Sequence, residues 1–108
     1  MSITFKGEGG STYDCVIYPI NHSTTPSKAG IYIFGKSLNN QWHSLYIGQT
    51  HDFYNRIFLY LEDHDAWDCL QKNKATHVAL YEFSGTEQQR IRIETALRHN
   101  YPTPCNQQ

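Results

Sequence analysis

The sequence predicts a small α+β domain with a mainly antiparallel sheet of three strands, or possibly four, flanked by helices. Three runs of β-branched and aromatic residues, 30–35, 42–48 and 76–83, have the composition of strands. Two longer stretches, 49–63 and 86–101, repeat their apolar residues with helical period. A chain of 108 residues fits one domain with a modest core.

Residues 1–29 are predicted to form an N-terminal extension with one possible strand, and residues 30–108 the main domain. The stretch KGEGGST (6–12) is expected to be a flexible start or a tight turn. YDCVIYPI (13–20) has strand composition, and the turn formers of 21–30 indicate a loop.

The strands 30–35 and 42–48 are predicted to pair as a hairpin. The connecting residues 36–41 contain Asn39 and Asn40, which favour a turn. We expect this loop to be longer than the two-residue minimum.

The stretch 49–63 is predicted to be one helix, with its start capped by Thr50 or Asp52. A second, shorter helix is expected over 64–73. The apolar face of the first helix is predicted to contain Phe53, Ile57, Tyr60 and Leu61.

The last two elements are a strand over 76–83 and a helix over 86–101. Thr86 and Gln89 have the spacing of a capping box at the start of this helix. Pro102 ends it because proline cannot continue a helix.

Composition and charge favour a cytoplasmic protein. The formal net charge is −1, which counts mildly against tight binding of DNA by the isolated chain. The three cysteines, Cys15, Cys69 and Cys105, are few and far apart, as in a reducing compartment. A zinc site formed by cysteines and the six histidines lacks the usual ligand spacing. No apolar run has the length of a signal peptide core or a membrane span.

Five features in order along the chain have a functional meaning when they are taken together. They are GIY (30–32), YIGQT (46–50), Arg56, Glu94 on the last helix, and Asn106. In this order and on these elements they resemble the GIY-YIG nuclease family. The resemblance covers most of the chain and is closest to the catalytic module at the N-terminus of the excinuclease C subunit, which certain homing and restriction endonucleases also contain.

The resemblance implies a metal-dependent endonuclease that hydrolyses DNA phosphodiester bonds with one divalent ion, Mg²⁺ or Mn²⁺. It implies that Glu94 holds the metal and that Arg56 lies next to the scissile phosphate. Tyr32 and Tyr46 would be the paired tyrosines, one of which acts as general base or orients the attacking water. These residue types suit the reaction, since a guanidinium can hold two phosphate oxygens at once.

Further residues have roles that the resemblance implies. Tyr60 would assist the phosphate site, and Asn106 would be a structural residue near the metal-binding helix. Gly48 would allow the backbone to approach the site, and Gly30 opens the first motif.

Three further residues bear on substrate binding. Gln49 stands where several relatives have a lysine, which puts the rate and the mechanism in doubt. His51 and His64 flank the helix that carries Arg56, and either could touch a phosphate. Surface histidines are the alternative for both.

The implied partner is DNA, with branched or flapped forms as candidates, and no membrane is expected. A homodimer or a protein partner could supply specificity. The alternative function is a weakly active or inactive module that binds nucleic acid or protein on the same scaffold, which the low charge and Gln49 favour.

Each site residue also has a purely structural explanation. Strand tyrosines commonly pack in cores, and a lone helix arginine is usually solvated. Glu94 has Arg90 and Arg98 at helical spacing on either side, so a surface ion-pair ladder could explain it. The acidic stretch 62–68 is predicted to be solvated and to face away from DNA.

Overall fold

The structure is a computed structural model that describes residues 1–106. Its strands are β1 (Ser2–Lys6), β2 (Thr12–Pro19), β3 (Gly30–Leu38), β4 (Gln41–Thr50) and β5 (His77–Glu82). Its helices are a π-helix (Asn55–Leu59), a first 3₁₀ helix (Leu61–Asp63), α1 (Trp67–Lys72), α2 (Glu87–Asn100) and a last 3₁₀ helix (Pro104–Asn106). The strands form one sheet in the order β1-β2-β5-β3-β4, and every neighbouring pair is antiparallel. The fold is α+β, as predicted.

The sheet has five strands, so the prediction of three or four was too low. Residues 1–29 contribute two strands to it and not one, because Ser2–Lys6 pairs with β2. This short strand was missed because a glycine-rich turn follows it at once, although Phe5 is buried. β2 pairs in turn with β5, so the predicted extension shares its sheet with residues 30–106.

The hairpin of β3 and β4 has a two-residue turn, so the prediction of a longer loop was wrong. β3 continues to Leu38 and β4 begins at Gln41, and these two residues pair with each other. Asn39 and Asn40 both have positive φ, 53° and 62°. Asparagine tolerates this left-handed conformation, which matches the strand twist in such tight turns.

The predicted helix over 49–63 is interrupted. Asp52 caps its start, since its Oδ1 accepts from the amides of Tyr54 (3.0 Å) and Asn55 (3.4 Å). The chain then widens into the π-helix, in which the Tyr60 amide donates to the Asn55 carbonyl at 3.0 Å. The π form ends there, and the first 3₁₀ helix follows. Such π segments are rare and frequently occur at functional sites.

α2 forms as predicted, with a complete capping box. The Gln89 amide donates to Thr86 Oγ1 (3.2 Å), and the Thr86 amide donates to Gln89 Oε1 (2.9 Å). These bonds satisfy two groups at the helix start that otherwise lack partners.

Both faces of the sheet are covered. One face packs against the π-helix, the first 3₁₀ helix and α1, and its buried residues include Phe34, Phe53, Ile57 and Leu70. The other face packs against α2, and its buried residues include Ile31, Ile47 and Leu97. β3 lies between β5 and β4 and is buried from Gly30 to Gly35. The hairpin that carries both tyrosine motifs is therefore held between two layers of helices.

Two of the cysteines form a disulfide, which the sequence did not lead us to expect. Cys69 in α1 is bonded to Cys105 in the last 3₁₀ helix, and Cys15 is free and buried. The two cysteines are 36 residues apart, so no short cysteine spacing motif in the sequence indicated this bond. The bond also removes both residues from the zinc site considered above.

No helix within residues 1–106 has the length and apolarity needed to cross a membrane.

Candidate functional site

The two motif tyrosines lie side by side on one face of the hairpin. Tyr32 pairs with Gly48 across the ladder, and Tyr46 pairs with Phe34. Because side chains two residues apart share a face, both rings lie on the side of the π-helix. Their centroids are 6.0 Å apart, and the ring planes are 24° from parallel. Tyr32 is only 1% exposed, whereas Tyr46 is half-buried.

The absence of a side chain at Gly48 makes this arrangement possible. A Cβ atom at this position would lie 2.6 Å from the Cζ and Oη atoms of Tyr32 and 2.8 Å from the ring of Tyr46. Gly30 has a different reason to be glycine, since a Cβ there would overlap the Tyr81 carbonyl and the Phe53 ring. Gly48 thus belongs to the tyrosine pair and Gly30 to the packing of the sheet.

Arg56 on the π-helix faces the tyrosine pair. Its guanidinium is close enough to the Tyr32 hydroxyl to lower the pKa of that group by hydrogen bonding and by its charge. It also lowers the pKa of Tyr46 through its charge. Arg56 is therefore half-buried beside two phenols, unlike the solvated helix arginine that was the structural alternative.

Glu94 approaches Tyr46 from α2. Its side chain is 18% exposed, and burial raises the pKa of its carboxyl group while Arg98 opposes that shift. The Arg98 Nη1 atom donates to Glu94 Oε2 at 3.4 Å, which is one half of the expected ion-pair ladder. Arg90 does not form the other half, because it binds Gln49 and the Gly85 carbonyl.

The charges of Glu94 and Arg56 both act on the half-buried phenol of Tyr46. Burial raises the pKa of Tyr46, and the Glu94 carboxylate raises it further. The hydrogen bond with Tyr32 and the charge of Arg56 oppose these two effects. Burial raises the pKa of Tyr32 well above its usual range. Both phenols are thus neutral at pH 7, and only Tyr46 combines access to solvent with charges of both signs.

His64 belongs to this cluster. It is 3% exposed, and its Nε2 lies 2.7 Å from Tyr32 Oη. Its ring also packs edge-on against Tyr46, with centroids 4.9 Å apart. Burial lowers the pKa of His64 to about 4, with Arg56 as a second cause. In the sequence, His64 is marked only by its position after the arginine helix, and this position does not distinguish a surface histidine from a buried one.

Asn106 supports the site from the C-terminal turn. Its Oδ1 accepts from the Ile47 amide (2.8 Å), and its Nδ2 donates to the Ile47 carbonyl (2.9 Å). It thereby satisfies both backbone groups of the edge strand between Tyr46 and Gly48. The Cys69–Cys105 disulfide immediately precedes it in the chain.

Three further candidates lie apart from the tyrosine pair. Tyr60 is 57% exposed and lines a separate cavity of about 350 Å³ with Trp67. His51 is exposed on the loop after β4. Gln49 uses its Oε1 atom to accept from the Nε of Arg90 at 2.9 Å. The π-helix accounts for Tyr60, since the extra residue in its turn rotates the following side chain away from the face of Phe53 and Ile57.

The acidic stretch lies nearer to this site than expected. Glu62, Asp63 and Asp68 are exposed, as predicted. Asp65 is also exposed, but it is close enough to Tyr46 to raise the pKa of that phenol.

Glu94 is the residue here that could hold a divalent cation. Within residues 1–106 no three His, Cys, Asp or Glu side chains form a group that could hold a metal ion. A single carboxylate still suits Mg²⁺, which keeps most of its water ligands and needs few protein ligands. Burial disfavours the charged form of Glu94, and a bound cation would relieve this cost. The donor set therefore fits one hydrated ion held by one side chain.

No protein-family model matches this chain, and comparisons with curated proteins and with solved structures found no match.

Proposed function

We propose that this chain is a metal-dependent endonuclease of the GIY-YIG type that hydrolyses DNA phosphodiester bonds. The observation that carries the proposal is the gathering of one guanidinium, one carboxylate and two phenols around Tyr46, each from a different part of the fold. A hairpin that carries both tyrosine motifs between two layers of helices supports the assignment of the fold to that family.

Arg56 would bind the scissile phosphate. Charge builds up on the non-bridging oxygens as water attacks phosphorus, and a guanidinium can donate to two of these oxygens at once. Arg56 is partly desolvated beside the phenols but remains half-exposed, so a phosphate can reach its guanidinium. It therefore holds the phosphate in place with a fixed charge.

Glu94 would hold Mg²⁺ or Mn²⁺ at the opposite side of that phosphate. When bound, the ion supplies charge neutralisation at the leaving oxygen. The contribution of Glu94 is to fix a carboxylate oxygen at the border of the cleft, where α2 packs against β4.

Tyr46, rather than Tyr32, would accept the proton of the attacking water. Tyr32 is fully buried and already bonded to His64, whereas Tyr46 is half-buried. Tyr46 is neutral at pH 7, so it must lose its own proton before it can accept one from water. Burial and Glu94 oppose that loss, whereas the interaction with Tyr32 and the charge of Arg56 favour it. A positioned base of this kind contributes about 10²–10⁴-fold in rate.

The proposed substrate is DNA with a branched or flapped structure. The net charge of −1 provides little general attraction for DNA, so shape, a second copy of the chain or a protein partner would supply specificity. A cytoplasmic location belongs to this proposal. The Cys69–Cys105 disulfide is the feature that weighs against a strongly reducing compartment.

Nicking of supercoiled and flapped DNA tests the proposal. Each site variant has a control, which is a glutamate on the same helix for Glu94 and another arginine for Arg56. Glu94→Gln and Arg56→Ala should lower the Mg²⁺- or Mn²⁺-dependent rate by at least about 100-fold. Glu87→Gln on α2 and Arg92→Ala, which alter exposed side chains, should retain it. Equal nicking by the wild type and all four variants would identify a contaminant. Absence of nicking on every substrate would refute the proposal.

A second candidate is a binding module that retains this scaffold without efficient catalysis. Gln49 favours it, because its side chain is engaged with Arg90 and it carries no charge toward a phosphate. DNA binding in the presence of a chelator, together with no turnover when metal is added, would support this alternative. Turnover that depends on Glu94 would exclude it.

A further inference from the structure

His64 forms hydrogen bonds through both of its ring nitrogens. The Ala66 amide lies 3.0 Å from His64 Nδ1, and Tyr32 Oη lies 2.7 Å from His64 Nε2. A backbone amide can only donate, so Nδ1 must be the acceptor and carries no proton. In the neutral ring, the proton then resides on Nε2, and His64 donates to Tyr32 Oη.

This direction fixes what the Tyr32 hydroxyl can do. Its oxygen accepts from His64, so its own proton is free to be donated to another group. Tyr32 lies beside Tyr46, and their interaction favours the phenolate form of Tyr46. Two hydrogen bonds thus run in one direction, from the Ala66 amide to His64 and from His64 to Tyr32. The proton of Tyr32 is left to donate toward the neighbouring Tyr46 ring.

The position of His64 in the fold keeps this direction constant. His64 is 3% exposed, and its ring is in edge contact with Tyr32, Phe34 and Tyr46 at centroid distances of 5.7, 5.6 and 4.9 Å. It lies at the end of the first 3₁₀ helix, where its own amide donates to the Leu61 carbonyl at 3.0 Å. With both the ring and the backbone held, rotation of the imidazole would break two hydrogen bonds.

We propose that His64 is a positioning residue of the site, which donates from Nε2 to Tyr32 Oη and thereby directs the Tyr32 hydroxyl proton to Tyr46. This inference rests on the proposed function for its catalytic consequence, but not for its hydrogen-bond geometry. His64 is buried against the rings of Tyr32 and Tyr46, and its proposed effect on the reaction passes through the Tyr32 hydroxyl.

Two substitutions at His64 separate its two hydrogen bonds. In His64→Asn, the side-chain oxygen can replace Nδ1 as acceptor for the Ala66 amide, but no donor reaches Tyr32. In His64→Gln, the longer amide can place a donor at the position of Nε2. A purely structural role predicts similar effects of the two variants, whereas the proposed role predicts that Gln rescues what Asn loses.

The first readout is independent of any activity. Long-range ¹H–¹⁵N correlation spectra of the full chain at neutral pH should show His64 as the Nε2-protonated tautomer, assigned by its loss in His64→Gln. Tyr32→Phe should shift the Nε2 signal and leave the other histidines unchanged. An Nδ1-protonated ring, or an Nε2 signal that Tyr32→Phe does not move, would overturn the proposal whether or not the protein cleaves DNA.

The second readout is the nicking rate. His64→Asn should lower kcat about 10–100-fold with little change in KM, the range typical of groups that orient a functional residue. His64→Gln should restore most of this loss, and His64→Asn should have no further effect in a Tyr32→Phe background. Effects of the two substitutions that multiply would contradict the proposal. If the wild type shows no nicking, the proposed function fails and the tautomer alone decides the role of His64.

Discussion

Tyr46 and its neighbours show how contacts change the ionisation of a single side chain. A strand tyrosine has an ordinary structural role in most proteins. Here the phenol is half-buried between Arg56 and Glu94, which shift its pKa in opposite directions. The sequence identified these three residues through a motif resemblance, but composition and period contain no information on their convergence.

His64 is the residue that sequence reasoning could not assign. Its partners, Tyr32 and the Ala66 amide, are brought to it by the turn after the π-helix. The sequence around this single histidine in an acidic stretch contains no pattern that predicts such a turn. Gly48 is the opposite case, because a glycine in the second motif already suggested a close approach, and the two tyrosine rings fill the space that a Cβ would occupy.

The buried neutral state of His64 predicts a pH-dependent stability. Its pKa is about 4 in the folded chain, against a usual value of 6.5. The unfolded chain therefore binds more protons between these values, so the free energy of unfolding falls as the pH drops through this window. We expect a loss of about 2 kcal/mol between pH 7 and pH 5, measured by urea unfolding.

The control for this experiment is His64→Gln, which cannot titrate in this range. Between pH 7 and pH 5, the free energy of unfolding of this variant should fall by about 2 kcal/mol less than that of the wild type. Parallel pH profiles of the two proteins would show that His64 contributes nothing to the dependence.

At the scale of elements, β3, β4, β5 and α2 were predicted, whereas β1 and the π-helix were missed. β3, β4 and β5 are recognisable because β-branched and aromatic residues follow one another in a buried sheet. The helix over 49–63 was predicted as continuous because Phe53, Ile57, Tyr60 and Leu61 fall on one helical face. This pattern does not indicate the extra residue of the π turn. In the structure Phe53, Ile57 and Leu61 remain buried, whereas Tyr60 is exposed to solvent.

The edge of β4 depends on Asn106. The side-chain amide of Asn106 forms hydrogen bonds with both backbone groups of Ile47, at 2.8 and 2.9 Å. These bonds take the place of those that a further strand would make. We expect Asn106→Ala to leave these groups unpaired, at a cost of about 1–3 kcal/mol. Amide hydrogen exchange should show the largest loss of protection at Ile47.

Asn106→Asp provides a graded control for this prediction. The carboxylate retains an acceptor for the Ile47 amide but has no donor for the Ile47 carbonyl. Exchange at Ile47 should therefore be intermediate between the wild type and Asn106→Ala. Unchanged exchange in both variants would mean that the side chain of Asn106 does not hold this edge.

At the scale of the whole molecule, the disulfide joins two segments that are distant in sequence and pack on the same face of the sheet. Cys69 in α1 and Cys105 near the C-terminus close a loop with a sequence separation of 36 residues. Reduction, or Cys69→Ser with Cys105→Ser, should lower the free energy of unfolding by roughly 4 kcal/mol, since the open chain has more unfolded conformations. Denaturant unfolding with and without a dithiol reductant measures this difference.

The double serine variant is also the control for the reductant. It should unfold at the same denaturant concentration with and without the dithiol, because its remaining thiol, Cys15, is not in a disulfide. A wild type that is equally stable in both conditions would show that the bond does not stabilise the fold.

The organisation of the molecule explains why the site lies where it does. α2 covers one face of the sheet and the π-helix covers the other, so Glu94 and Arg56 can approach Tyr46 from opposite sides only at the outer strand β4. The order of the motifs in the sequence is compatible with this arrangement. The strand order that produces it depends on the pairing of β3 with β5, which is not readable from either strand alone.

The most direct test of the central claim is the position at which a divalent cation binds in solution. Substoichiometric Mn²⁺ should broaden the NMR signals of Glu94 and Tyr46 most strongly, and Glu94→Gln should abolish this broadening. Broadening centred on the exposed carboxylates of Glu62 and Asp63, with none at Glu94, would contradict the account.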